Sequence, residues 1–197
     1  WLYSPLEAGC TLVKNPKHLI DTYSSHPEYY NFSLSEEGES LNYYEYGLQN
    51  SRGFRALKVW LAMQQIGKSG YVKLIREDIA LSKYFYELAG KHPELEPKTQ
   101  NLSIATLRYV PENFEEKGEI REAYLNTLNE TLLDELQQGG EMFLSNAIVG
   151  KQFCLRTCIV NFRTTRKDIE ECIIIIVKTG QKTQLALQAE KGSERRM

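Results

Sequence analysis

The sequence predicts an α+β protein, with helices packed on a small, mainly antiparallel sheet. Three observations predict it. Apolar residues recur at helical spacing over residues 51–66 and again over 119–138. Residues 102–109 alternate apolar and polar, the sign of a half-buried strand. Two runs rich in β-formers, 142–145 and 153–160, flank Gly150 as the arms of a hairpin would.

The 197 residues suffice for one or two small domains with a real core, and the hydrophobic and charged fractions are those of a soluble globular protein. A formal charge of −2 gives no general attraction to nucleic acid. The apolar run 172–177 is far too short to span a membrane, and no longer one exists. Cys154 and Cys158 are four apart on an expected strand, so both should share one face as small buried hydrophobes. Neither they nor His18, His26 and His92 have the spacing of metal ligands, so no metal is expected. Free thiols point to a cytoplasmic protein, and without a secretory signal the three sequons at Asn31, Asn101 and Asn129 are given no weight. The chain opens at Trp1 without a signal-peptide pattern, which leads us to expect a fragment whose upstream part is missing.

In chain order, residues 1–8 read as a turn or loop and 9–13 as a short strand. Asn15 and Pro16 should open a short helix to about Asp21, with Asn15 as cap. Residues 24–48 lack periodicity and carry Pro27, Gly38, an acidic cluster and several tyrosines, which reads as a functional or disordered segment. Ser51 is the expected N-cap of the next helix, whose stripe holds Phe54, Leu57, Trp60, Leu61 and Ile66. On the residues alone, its start is either an ordinary cap with a basic exposed side or an anion site. Helix N–H groups and two arginines suit a phosphate or carboxylate. Gly67 and Gly70 should flank a break, after which a second helix runs over about 71–89 and ends at Gly90, Pro93 and Pro97. The remainder reads as strand (102–109), helix (119–138, stopped by Gly139 and Gly140), hairpin and a last helix. Thr164 or Thr165 should cap that helix, which includes Ile169 and residues 173–177, and beyond Gly180 the polar chain should fray.

Three segments carry a family resemblance. The run N-S-R-x-F-R-A-L-K-x-W from Asn50 to Trp60 resembles the signature helix of the group II pyridoxal-phosphate (PLP) decarboxylases, such as those for aromatic amino acids, glutamate and histidine. The opening W-L-Y-S-P-L-E-A-G-C resembles the segment directly after the cofactor lysine in the family's H-K-W-L pattern. Leu155 and Arg156, followed by N-F-R-T-T from Asn161, resemble the family's C-terminal passage from strand to helix. The likeness covers roughly residues 1–180. It implies an α+β fragment of a PLP fold-type I, aspartate-aminotransferase-like enzyme, built as a homodimer with active sites at the subunit interface. Residues 1–88 would be the end of the large PLP-binding domain, 89–180 the small C-terminal domain and 181–197 a polar tail.

The resemblance also implies roles. The Schiff-base lysine would lie one position before Trp1, with the ring-stacking histidine and the aspartate facing the ring nitrogen further upstream. Lys14 and Lys17 remain ordinary surface residues. His26, Pro27, Glu28 and Tyr29 meet the family's x-P-x-Y, which makes Tyr29 the candidate acid that returns a proton after CO2 leaves, with Tyr30 as rival. Without the resemblance, Tyr29 would read as a surface or interface residue of a tyrosine-rich loop. Pro5 and Leu6 would line the substrate side-chain pocket, and Ser51 would help to distinguish aromatic side chains. Asn50, Ser51 and Arg52 would contribute to the cofactor phosphate site, in this subunit or its neighbour. Arg156 would either take the substrate α-carboxylate or serve as a structural arginine bonding loop carbonyls.

The expected function is therefore decarboxylation of an L-amino acid to an amine and CO2, nearest to the aromatic-amino-acid branch, with the fragment alone inactive; one pocket wall does not separate aromatic from acidic or diamine substrates. The rivals are an aldehyde-forming or lyase reaction on the same fold, and a non-catalytic dimerisation or regulatory module.

Overall fold

The computed structural model describes residues 1–5, 7–25, 42–112 and 114–194, the last five of these by backbone alone. Two compact units divide the chain: Ser4–Gln65, and Trp1–Tyr3 together with Ile66–Met197.

In the first unit, residues 9–13 are exposed and irregular, not the expected strand. Their β-forming side chains find no ladder partner among the described residues, and propensity alone does not hold a strand. Helix α1 (Lys17–Tyr23) follows. Pro16, not Asn15, is its N-cap, but Asn15 still serves the helix start: its Oδ1 accepts from the Lys17 N–H at 3.1 Å. A single 3-10 turn covers Tyr43–Tyr46. Helix α2 (Arg55–Ala89) starts four residues beyond Ser51, so Ser51 is not its cap. The intervening Gly53 is a poor helix former, and its carbonyl accepts the Arg55 N–H at 2.8 Å in a tight turn that precedes the first helical one.

Within α2 the helical path breaks at Gly67, at φ 66° and ψ 171°. That is the break foreseen from the glycine pair, and it falls on the first glycine because only a residue without Cβ enters this region cheaply. Gly70 lies inside resumed helix. The second unit then forms a four-stranded antiparallel sheet in the order β1-β2-β4-β3. Its strands are β1 (Leu95–Asn101), β2 (Ile104–Tyr109), β3 (Ser145–Val149) and β4 (Gln152–Cys158). Strand β1 is missing from the sequence reading because Pro97 argues against a strand interior. The residue is tolerated at the sheet edge, where a bulge at Lys98 shifts the register between Pro97 and Thr99. Leu102, expected inside a strand, turns the β1–β2 hairpin instead at φ 49°. Gly150 and Lys151, at φ 56° and 71°, make the two-residue turn between β3 and β4, whose backbone twist suits a hairpin.

Helices α3 (Gly118–Gly139) and α4 (Arg166–Glu194) complete the unit. Gly140 ends α3 in the left-handed conformation at φ 73°. Thr165 and Asp168 form a reciprocal cap at the start of α4. The Asp168 carboxylate accepts the Thr165 N–H at 2.7 Å, and the Thr165 hydroxyl accepts the Asp168 N–H at 3.4 Å. The core gathers Phe85, Leu107, Leu125, Leu128, Leu132, Leu155 and Ile176. Asn129 is fully buried among them and stitches α3 to β2. It accepts the Tyr109 N–H at 2.7 Å and donates to the Tyr109 and Leu125 carbonyls at 2.9 and 2.8 Å.

The chain does not fray beyond Gly180; α4 continues to Glu194. Its polar composition conceals internal partners. Thr183 is fully buried, and Gln181 donates to the Glu94 carboxylate at 2.7 Å, which also accepts the Tyr109 hydroxyl at 2.6 Å. Gly180 lies against the Tyr109 ring so closely that a Cβ there would meet ring carbons at 2.7 Å. Replacing a helical glycine by alanine ordinarily gains up to about 1 kcal/mol, but overpacking a fixed core costs about 1–3 kcal/mol. Gly180→Ala should therefore lower stability by roughly 1–2 kcal/mol. Urea unfolding checks this through a lower midpoint at an unchanged slope.

Candidate functional site

Residues 50–55 form the first candidate region. Asn50 and Ser51 lie in bends, Arg52 and Gly53 continue without regular structure, and all are exposed. Arg55, the first residue of α2, reaches back to Glu7. Its Nε and Nη2 lie 3.0 and 2.8 Å from Glu7 Oε1. Glu7 is two residues past Pro5, so this pair ties the opening segment to the helix start. Both partners are largely exposed, so the tie is worth at most about 1 kcal/mol. It orients the segment more than it stabilises it.

Pro5 is exposed in the same unit as Asn50, Ser51 and Arg52. Leu6, Tyr29 and Tyr30 lie outside the described residues. The apolar stripe of α2 is uncovered: Phe54 is 74% and Trp60 56% exposed. Phe54, Leu57 and Leu61 line a shallow groove together with Gly53, Arg55 and Lys58. An amide, a hydroxyl, a guanidinium and the N–H donors of a helix start fit the phosphate of PLP by their chemistry. All three residues are exposed.

The second unit holds the arginines of the sheet. Arg156 is half-buried, and its Nη1 donates to Ser145 Oγ at 3.1 Å on the neighbouring strand. The sequence reading missed Arg108, which is fully buried. Its Nη1 lies 2.8 Å from Glu122 and its Nη2 lies 3.3 Å from the Asn126 amide oxygen. Gln152 adds a bond to the same Glu122 oxygen at 2.9 Å. Burial alone would raise the Glu122 carboxyl, but the hydrogen bonds from Arg108 and Gln152, with the Arg108 charge, bring it below its ordinary value. The one cation on the alternating strand segment, Arg108 among its apolar neighbours, was the available signal.

Also missed was a buried carboxylate. Asp78 is 2% exposed on α2 and accepts the Tyr3 hydroxyl. The signal was an acidic residue inside the apolar stripe of Leu74, Ile75, Ile79 and Phe85. Of the paired cysteines, Cys154 is buried, and that burial pushes its thiol up, whereas Cys158 is exposed at the strand end. The expected shared burial thus holds for one of them. Among the described residues no group of three potential ligands could hold a metal, and no helix is long and apolar enough to cross a membrane.

Comparison with known proteins gives these positions a context. Residues 1–109 match the model of the pyridoxal-dependent decarboxylase conserved domain. The chain is 29% identical to an aromatic-L-amino-acid decarboxylase of Bacillus atrophaeus over 94% of its own length and 38% of the relative's. It is 28% identical to a phenylacetaldehyde synthase of a Rosa hybrid cultivar, over 92% of this chain and 36% of that protein. Among solved structures it is similar to tryptophan decarboxylase of Catharanthus roseus in complex with L-tryptophan. There the TM-score is 0.65 at 25% identity, over 87% of this chain and 34% of that one. The fold is that of a part of these enzymes, and the chain spans between a third and two fifths of their length.

The Arg108–Glu122 pair sets a pH dependence. A carboxyl held low in the folded state contributes stability that is fully present above its unfolded pKa, about 4.3, and is lost as pH falls through the folded value. Glu122→Gln should therefore be less stable than the parent chain near neutrality, and the gap should close in acid. Urea midpoints of both proteins across a pH series measure that gap. A gap independent of pH would contradict the pairing.

Proposed function

We propose that this chain, which belongs to the pyridoxal-dependent decarboxylase family, is the C-terminal part of an enzyme that converts an aromatic L-amino acid into an amine and CO2. The match of residues 1–109 to the family's conserved domain carries this reading. The 29% identity to an aromatic-L-amino-acid decarboxylase over nearly the whole chain favours the aromatic branch. In this reading residues 1–88 end the large domain and 89–180 form the small one. The enzyme is a cytoplasmic homodimer, and the chain alone is inactive because the cofactor lysine precedes Trp1.

When bound, PLP supplies the electron sink for the pair left on the α-carbon as the C–C bond to the carboxylate breaks. The remaining tasks fall to side chains. Asn50, Ser51 and Arg52 hold the phosphate through directed N–H and O–H donors. Pro5 and Leu6 present an apolar wall to the substrate side chain, and Ser51 reads its aromatic end. Tyr29 holds the proton that the α-carbon takes up once CO2 has left. A phenol is suited to this because its ordinary pKa, about 10, keeps it protonated at neutral pH. Arg156, bonded to Ser145 across the sheet, keeps β3 and β4 in register. A second reading is an aldehyde-forming reaction on the same fold, favoured by the 28% identity to a phenylacetaldehyde synthase.

The test compares this chain with one that also carries the coding sequence preceding it. PLP absorbance and the release of CO2, amine and aldehyde are followed over a panel of L-amino acids. The longer protein should bind PLP and release CO2 and amine in equal amounts from an aromatic substrate, while the short chain does neither. Tyr29→Phe should lower amine formation by about 10²–10⁴-fold, the usual contribution of a positioned acid. Aldehyde in place of amine from the parent would establish the second reading, and a longer protein without PLP binding would end both.

A further inference from the structure

Residues 1–3 belong to the same compact unit as α2 beyond Gly67 and the β4–α4 connection, and three contacts hold them there. The Leu2 carbonyl accepts a hydrogen bond from the Tyr71 hydroxyl at 3.0 Å. The Tyr3 ring meets Phe162 edge-on, with centroids 5.9 Å apart and planes at 87°. The Tyr3 hydroxyl donates to Oδ2 of Asp78. Asp78 is 2% exposed and has no salt-bridge partner among the described residues. A buried carboxylate without a donor is costly, so the Tyr3 hydroxyl answers a need of the helix as well as fixing its own ring.

The backbone records the same constraint. Tyr3 adopts φ 50°, in the left-handed region that bulky L-residues seldom enter. Such a conformation persists where its surroundings over-determine it. Burial, together with the hydrogen bond to Asp78 and its charge, pushes the Tyr3 hydroxyl well above its ordinary pKa. It therefore remains a donor throughout the working pH range.

We infer that Tyr3 and Asp78 form a lock that positions the peptide leading into the cofactor lysine. This rests on the reading above, in which that lysine precedes Trp1. Successive Cα atoms are about 3.8 Å apart, so anchors at residues 2 and 3 leave a tether of two or three residues. Neither residue touches the reacting atoms; both act through the path of the chain, as positioning residues. The general reason is that a lysine nitrogen must be held within a fraction of an ångström to serve its partner.

Two measurements test this. On the present chain, an aminopeptidase releases Trp1 at a rate that follows how often residues 1–3 detach. A hydrogen bond to a charged group, lost from a buried site, should raise that rate about tenfold or more in Tyr3→Phe and Asp78→Ala. Asp78→Asn keeps an acceptor oxygen and should stay near the parent. The double variant Tyr3→Phe/Asp78→Ala should be no faster than Asp78→Ala alone. In the longer, PLP-loaded protein, the same variants should speed PLP dissociation in the same order. They should also shift the pH midpoint of the bound cofactor's visible absorbance, which a merely structural contact would leave in place. Unchanged trimming of Tyr3→Phe overturns the lock. Faster trimming with unchanged PLP dissociation and pH midpoint overturns its positioning role. A parent protein that holds no PLP refutes the decarboxylase reading and the cofactor role with it, and the Tyr3–Asp78 contact itself is then judged by trimming alone.

Discussion

The second unit depends on how Tyr109 is buried. Its backbone N–H and carbonyl are both taken by Asn129 of α3, and its hydroxyl by Glu94, which in turn holds Gln181 of α4. Its ring fills the space that Gly180 leaves open. One side chain thus joins the last residue of β2 to two helices and to the turn before β1. Tyr109, Asn129 and Glu94 are buried, and the polar groups named here are paired with one another. That arrangement is specific, because any slip of α4 by a residue would put a side chain into the ring and leave Glu94 without Gln181. The apolar contacts around it supply most of the stabilisation, and the polar ones fix which packing is chosen.

Two polar ties bear on function. Residues 1–3 are tied to α2 by Tyr3 and Tyr71, although they stand far from it in sequence. Within the first unit, Arg55 at the start of α2 is tied to Glu7. Both ties act on the opening ten residues, the part that resembles the segment beside a cofactor lysine. Chemistry on such a cofactor demands accurate placement more than reactive side chains, since the cofactor carries the electrons. Polar anchors on an otherwise irregular segment are a physical answer to that demand.

Much of the architecture was legible in the residues. The alternation before Tyr109, the leucines of α3 and the turn at Gly150 and Lys151 follow from local rules of period and backbone freedom. The break at Gly67 and the cap at Thr165 follow from them too. The misreadings have a common cause. Strand β1 has a proline and charged residues, and only its place at the sheet edge makes it a strand. Residues 9–13 have strand composition and no neighbour. Ser51 is a good cap in type but lies four residues before the helix, because Gly53 delays it. The polar end of α4 looks like a tail until Glu94 and Tyr109 are seen to bind it. In each case the deciding partner is distant in sequence.

The same division applies to the candidate site. The sequence by itself determined the family resemblance, the signature run from Asn50 to Trp60 and the residue types suited to a phosphate. These are local, contiguous patterns. Only the tertiary structure decided that Arg108, not Arg156, is the deeply buried arginine. It also decided that Arg55 is paired with Glu7 and that Tyr3 closes on Asp78. The physical reason is that burial and pairing are properties of a packed neighbourhood. A charged residue in an apolar stripe signals that a partner is needed, and the fold alone determines which residue supplies it.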